Sequence, residues 1–416
     1  MSSPFPVDQL RTAFPALART HDGHPIAYFD GPAGSQVPQS VIDAVADYLA
    51  HHNANCGAPF DTSRETDATL QAGREAVADL VGTDDPETIA FGPNMTTLTL
   101  SLSRALAANW GPDDEIIVSR LDHDANVTPW VLAARDAGAR VRYIDVIADD
   151  CTLDMGSFRD ALSDRTRLVA VGYASNLAGT INPLPEIIDE ARAAGAMTFI
   201  DAVHYAPHGL IDVAELGCDF LACSGYKFFG PHVGILWGRR ELLETIQPYK
   251  LRPSPNALPG RWMTGTQNHE GIAGVAAAID YLAGIGRAAA GDSADRRACL
   301  AAAYAAIGDY ERSLGTRLID GLKQIAGVTI WGITDPERFT RRVPTVSFTH
   351  ERHTPRAIAV HLAEQGLYVW PGNHYALPLT EALGLEPDGT LRVGLLHYNT
   401  AEEVDRLLEA LARFLD

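Results

Sequence analysis

Short apolar runs, each closed by polar or glycine-bearing turns, recur through the first half of the chain, with stretches of helical spacing between them. Strands are predicted over residues 88–91, 115–118, 140–146, 167–173, 197–200, 220–223 and 233–237. Helical periodicity fills 96–108, 128–137 and 186–194. Strands alternating with helices make an α/β protein with a mostly parallel seven-stranded sheet, covered on both faces. In such sheets ligands gather at the carboxyl ends of the strands. Asn94, His123, Asn176, Asp201, His204 and Lys227 all fall there.

The flanking pattern differs. Residues 26–30 form a brief strand running into the turn Gly31-Pro32-Ala33-Gly34, and 41–51 and 65–80 read as helices. After Gly238 come a Pro-rich loop at 251–261, the polar segment 265–268 and an Ala-rich helix to about 284. A helix at 300–326, strands at 328–331, 345–349 and 391–395, and an amphipathic helix at 402–415 complete a smaller C-terminal α+β domain. The expected division is a large domain at 22–285 and a small one made of 1–21 and 286–416.

Composition narrows the class. With 416 residues, 46% apolar and 21% charged, the chain has the make-up of a soluble globular protein. A net charge of −20 (33 basic against 53 acidic residues) argues against nucleic acid or an anionic membrane as partner. Residues 1–16 lack a basic region followed by an apolar one, so no secretory signal is read there. Five scattered cysteines without metal-ligand spacing suit a reducing cytoplasm and give no metal site.

Of the 33 basic residues only three are lysines: Lys227, Lys250 and Lys323. Lys227 interrupts two apolar runs, where desolvation penalises its charged form. Only lysine can form a Schiff base with a carbonyl cofactor; the alternative is a packed stem with its head in water. Asn94-Met95-Thr96-Thr97 stands between strand and helix, which suits either a phosphate or plain N-capping by Asn94. Asp201 ends an apolar strand and could hold a pyridinium nitrogen protonated or simply face solvent. His123 can stack on a ring or serve a structural role. Arg392 can clamp a carboxylate or form a surface ion pair. No dinucleotide or P-loop glycine fingerprint is present. An amine, a carboxylate at a strand tip, an imidazole and a helix terminus together are the parts of a pyridoxal phosphate site.

The sequence resembles the class V aminotransferase family, in particular its cysteine desulfurase and selenocysteine lyase branch. The resemblance runs from about Tyr28 to Thr400. It is carried by residues 28–33, 122–130, 175–180, 199–204, Ser224-Gly225-Tyr226-Lys227, and Arg392 with His397-Tyr398-Asn399-Thr400. It implies a pyridoxal phosphate-dependent transferase of fold type I, working as a homodimer on a small-molecule amino acid. By position, Lys227 is the Schiff-base lysine, Asp201 the partner of the pyridinium nitrogen and His123 the ring-stacking residue. Thr96, Thr97 and Ser224 fall on the phosphate, His204 and Tyr226 beside the cofactor, and Thr266 toward the neighbouring subunit's phosphate. Asn176, Arg392, Ala33 and His374 fall on the substrate side.

The departures bear on the reaction. Desulfurases of this branch carry a nucleophilic Cys in a Gly-His-His-Cys-Ala-x-Pro-Leu loop; here residues 372–379 read Gly-Asn-His-Tyr-Ala-Leu-Pro-Leu, so Tyr375 takes its place. Trp370 stands where those enzymes tend to have Arg, and His204 replaces a Gln as in the epimerase and kynureninase branches. The expected activity is β-elimination by a C–S lyase without a persulfide, with Lys227 as acid–base and His123 or Tyr375 protonating the leaving group. Class V transamination or an isopenicillin N epimerase-like reaction is the alternative, and a silent binding or scaffold protein is a third.

Overall fold

Seven strands form the large sheet in the computed structural model, which describes residues 5–291 and 293–415. They are β1 (Ile89–Gly92), β2 (Glu115–Ser119), β3 (Arg140–Ile144), β4 (Thr166–Gly172), β5 (Met197–Asp201), β6 (Phe220–Ser224) and β7 (Gly234–Gly238). Their order across the sheet is β1-β7-β6-β5-β4-β2-β3, and every expected strand is present. Only β7 is antiparallel to its neighbours. Residues 225–233 are too short for the crossover that parallel neighbours need, roughly a dozen residues or more, so the chain turns back on itself.

Side chains alternate cleanly between two cores. Phe91, Ile117, Val169, Ile200, Leu221 and Ile235 face one; Ala90, Ile116, Leu168, Phe199, Phe220 and Leu236 face the other. The first core is closed by helices α1 (Asp61–Val81), α4 (Leu184–Ala193) and α5 (His269–Ala290), and the second by α2 (Met95–Ala107) and α3 (Thr128–Ala137). Both faces are therefore dry, which is why the central strands read as unbroken apolar runs. Helix α5 has the length and apolarity of a membrane span, yet Ile272, Val275, Ile279 and Leu282 are buried in the first core.

Helix α6 (Arg296–Leu322) joins the two halves of the molecule. Its first turns place Leu300, Tyr304 and Ile307 in the large core; its last place Leu314, Leu318 and Leu322 in a separate small one. That small core lies against a four-stranded antiparallel sheet of β8 (Val328–Trp331), β9 (Thr345–His350), β10 (Trp370–Gly372) and β11 (Thr390–Gly394), in the order β8-β9-β11-β10. Helices α7 (Pro355–Ala363) and α8 (Ala401–Leu415) cover it. Residue 285 falls inside α5, and the chain crosses from one core to the other along α6; residues 26–29 also straddle the two, with Ile26 and Tyr28 in the large core and Ala27 and Phe29 in the small one. Helix α7 and strand β10 are additions to the sequence reading: β10 is only Trp370, Pro371 and Gly372, too short to show a period.

Two glycines fix the site's frame. A Cβ on Gly234 would stand 2.3 Å from the Asn94 carbonyl carbon, and one on Gly394 1.9 Å from Pro32 Cδ. The first contact seats the start of α2 against the start of β7; the second seats the Pro32–Ala33 turn against β11. Gly234→Ala must push backbone against backbone, so it should lower unfolding stability by about 1–3 kcal/mol in urea titration. An unchanged midpoint would show that the close approach is dispensable.

Candidate active site

A cavity of about 270 Å³ opens at the carboxyl ends of β1, β2, β4, β5 and β6, where the small domain meets the sheet. Lys227 leaves the fully buried strand β6 through a single 3₁₀ turn, Gly225–Lys227. Its Nζ donates to the Pro32 carbonyl oxygen and lies 4.9 Å from the centre of the Tyr226 ring. By surface area Lys227 is only part-buried, but its ammonium is enclosed by the cavity walls. This loss of water, with repulsion from Arg392, brings its pKa down to about 7, against the pull of Asp201 and Asp30.

Asp201, the last residue of β5, accepts the Val203 N–H at 2.9 Å, and burial pushes its pKa up to about 6. Asp122 follows β2 and accepts the Gly172 N–H at 2.6 Å; burial lifts its pKa to about 8. His123 accepts the Ala125 N–H on Nδ1 at 3.0 Å, and its burial beside Lys227 and Arg392 lowers its pKa to about 4. The ring is neutral at pH 7. On its other side the Tyr375 ring stacks at 5.5 Å between centres and 16° between planes. His204 shares a hydrogen bond with the Thr345 hydroxyl at 3.0 Å, and burial keeps it far below the usual histidine range.

At the start of α2, Asn94 caps the helix by accepting from the Thr97 N–H (2.9 Å) and hydroxyl (3.0 Å). Thr97 is thereby drawn into the cap and stays off the cavity wall, whereas Asn94, Met95 and Thr96 form part of it. Ser224 accepts the Met95 N–H at 3.1 Å, which leaves its own hydroxyl proton to give.

From the small domain come Arg392 on β11 and the loop after β10. Arg392 donates to the Asn176 carbonyl oxygen at 2.8 Å, and burial lowers its pKa to about 9. The Asn176 amide donates in turn to the His374 carbonyl oxygen at 2.8 Å. His374 and Tyr375 both have φ of 57°, a left-handed backbone that non-glycine residues rarely adopt. The Asp124 N–H holds the Tyr375 carbonyl oxygen at 2.7 Å, the Asn373 side chain accepts the Tyr375 N–H at 3.1 Å, and His374 Nε2 meets the Thr390 hydroxyl at 3.1 Å.

Ala33, Thr96, His123, Asn176, Asp201, His204, Ser224, Tyr226, Lys227, His374, Tyr375 and Arg392 thus share one cavity. Thr97 does not join them, and Thr266 is exposed in a loop away from this chain's cavity. Two carboxylates are additions to the sequence reading: Asp122 on the wall, and Asp30, whose pKa burial raises to about 6 beside Arg392 and Lys227. An aspartate closing the run before the Gly31-Pro32 turn was the only available signal for Asp30.

The sequence model described as Aminotransferase class-V matches residues 27–407. The chain belongs to the class V aminotransferase family. It is 32% identical to the cysteine desulfurase of Pectobacterium carotovorum over 428 aligned residues, 98% of each chain. It is 32% identical to the probable cysteine desulfurase of Xylella fastidiosa, across 98% of this chain and 95% of that one. It superposes on the apo cysteine desulfurase of Thermococcus onnurineus NA1 with a TM-score of 0.87 at 26% identity, covering 100% and 99% of the two chains. With an Escherichia coli cysteine desulfurase in its S-sulfonic acid form the TM-score is 0.84 at 28% identity, over 99% and 98%. The chain is a cysteine desulfurase-like, pyridoxal phosphate-dependent enzyme of fold type I.

The residues present fit that cofactor. Asn176 Oδ1, His374 Nδ1 and Arg392 Nε are buried without a partner in the chain, an arrangement that costs about 1–3 kcal/mol per group unless a ligand meets them. The Thr96 amide and hydroxyl at the α2 terminus, with the Ser224 hydroxyl beside them, suit a phosphate, and Asp201 suits a pyridinium.

The lysine's burial sets a pH signature. Folded without cofactor, Lys227 gives up its proton near 7; unfolded, near 10.5. The unfolded chain therefore binds more protons between those values, and this group makes stability rise with pH from about 7 to 10.5 by at most about 1.4 kcal/mol per unit. Lys227→Met should remove that rise, so the variant's stability advantage in urea titration shrinks from pH 7 to pH 10. Parallel curves would mean that the ammonium is well hydrated.

Proposed function

We propose that the enzyme is a C–S lyase, releasing sulfur from a cysteine-like amino acid by β-elimination with no enzyme persulfide. The observation that carries this reading is a cavity wall without a thiol. Tyr375 occupies the loop facing His123, Cys56 is exposed in a distant stretch of sequence, and Cys151, Cys218, Cys223 and Cys299 are buried in the packed core. Burial lifts the Cys151 and Cys218 thiols to about 12 and Cys223 higher still, so none offers a thiolate.

Lys227 would hold the cofactor covalently, Asp201 its ring nitrogen, His123 its face, and the Ser224 hydroxyl with the Thr96 amide and hydroxyl its phosphate. When bound, pyridoxal phosphate supplies a sink for the electron pair left at Cα. Arg392 and Asn176 position the substrate carboxylate. An amine with a pKa near 7 is matched to take the Cα proton at neutral pH. The Cα–H and Cβ–S bonds break, sulfur leaves with its electron pair, and the released 2-aminoacrylate hydrolyses to pyruvate and ammonium. Five unpaired thiols support a cytoplasmic setting. The exposed Ile42, Leu49, Phe60, Tyr249 and Leu251 support a homodimer.

Borohydride reduction of the holoenzyme should fix the cofactor's mass on the peptide carrying Lys227, and Lys227→Ala should lose it. An amino-acid panel scored separately for sulfide, keto acid and inverted stereochemistry decides the reaction. Pyruvate and sulfide should appear together, in Cys56→Ser and Cys223→Ser alike. Loss in either cysteine variant with cofactor retained would contradict elimination; keto-acid product without sulfide would replace it with transamination.

A further inference from the structure

Trp370 on β10 pairs directly opposite Arg392 on β11. Directly opposed residues of an antiparallel pair project from the same face, with Cβ atoms about 5 Å apart. The group that receives a carboxylate and a large flat ring are therefore neighbours by register. Tyr375 supplies a second ring on the same mouth. Trp370 is 50% exposed and Tyr375 71%, so two large aromatic surfaces are offered to whatever enters. The backbone carrying Tyr375 needs no ordering first, because it is tied down by the Asp124, Asn176 and Asn373 hydrogen bonds.

Charge is distributed just as unevenly. The cations of the wall are Lys227 and Arg392, and its carboxylates are Asp122 and Asp201 at the strand ends. The rings of Trp370, Tyr375, His123 and His374 complete this side of the wall, and both imidazoles are held neutral by burial. Among the described residues of this chain, those rings offer no cation to a second carboxylate or a phosphate on the substrate side chain. A departing sulfide anion would find none either, which favours a leaving group whose negative charge spreads into its own substituent.

We infer that the preferred substrate is an S-aryl cysteine, with its carboxylate on Arg392 and its sulfur-bound aromatic ring packed on Trp370 and Tyr375. The inference rests on the elimination reading above and specifies its leaving group. Lys227 takes the Cα proton, the Cα=Cβ bond forms, and the Cβ–S bond breaks. Its electron pair departs with sulfur as an arylthiolate, whose charge delocalises into the ring. The remaining 2-aminoacrylate is hydrolysed to pyruvate and ammonium, and no oxidant or reductant is consumed.

The test compares S-phenyl-L-cysteine, S-methyl-L-cysteine and L-cysteine on the holoenzyme, following pyruvate and the released thiol or sulfide. S-phenyl-L-cysteine should show the highest kcat/KM, by roughly tenfold, the scale of one aromatic contact plus a better leaving group. Trp370→Ala should lower the phenyl-to-methyl ratio several-fold, leaving only the share that comes from the leaving group, and Trp370→Phe should restore it. Calorimetry of the holoenzyme with 3-phenylpropionate and with propionate gives a readout independent of turnover. The aryl acid should bind more tightly by a similar factor, and lose that margin in Trp370→Ala. Turnover of L-cysteine equal to or above the aryl conjugate, or a phenyl-to-methyl ratio untouched by Trp370→Ala, overturns the inference while leaving elimination standing. No pyruvate from any of the three overturns elimination itself.

Discussion

The site depends on a lysine ammonium held out of water between opposing charges. Asp201 and Asp30 favour its protonated form, while burial and Arg392 disfavour it more strongly. The result is an amine that is a base at neutral pH and also a nucleophile able to exchange carbonyl partners. Each neighbour is fixed by backbone: the Pro32 carbonyl accepts from Nζ, Val203 holds Asp201, and Asn176 holds Arg392. A more hydrated lysine would be protonated and inert; one without the two aspartates would have less to keep it in register with a cofactor.

That balance exists only because strand ends converge. β2, β4, β5 and β6 run parallel and finish on one edge, so Asp122, Gly172, Asp201 and Ser224 meet although they are far apart in the chain. The short return from β6 to β7 is what presents Lys227: a turn of three residues leaves no freedom to swing the amine elsewhere. Gly234 then lets α2 begin against β7, which places the first α2 amide, that of Met95, on the Ser224 hydroxyl oxygen.

The sheet was legible in the sequence because burial on both faces leaves an unambiguous trace, an apolar run between turns. The residues that close those runs, Asp201 and Lys227 above all, were legible for the same reason. Asp30 was not, because its effect on Lys227 and Arg392 depends on a bridge to Gly394 at the other end of the chain, which no local pattern encodes. Thr97 looked equivalent to Thr96, yet the Asn94 cap holds Thr97 off the wall and leaves Thr96 on it. Strand β10 was invisible because it exists only through pairing with β11, and the neighbourhood of Trp370 and Arg392 went with it.

Asn176 explains why the two domains act as one enzyme. It lies beyond β4 of the large sheet, but its carbonyl accepts from Arg392 and its amide donates to the His374 carbonyl. One buried side chain and its own backbone therefore set both the Arg392 guanidinium and the strained loop carrying Tyr375. The left-handed conformations at His374 and Tyr375 are costly, of order 1–3 kcal/mol each, and persist only where surrounding bonds over-determine them. Those bonds come from Asp124 and Asn176 of the large domain and from Asn373 and Thr390 of the small one. The mouth of the cavity is thus a product of the domain contact.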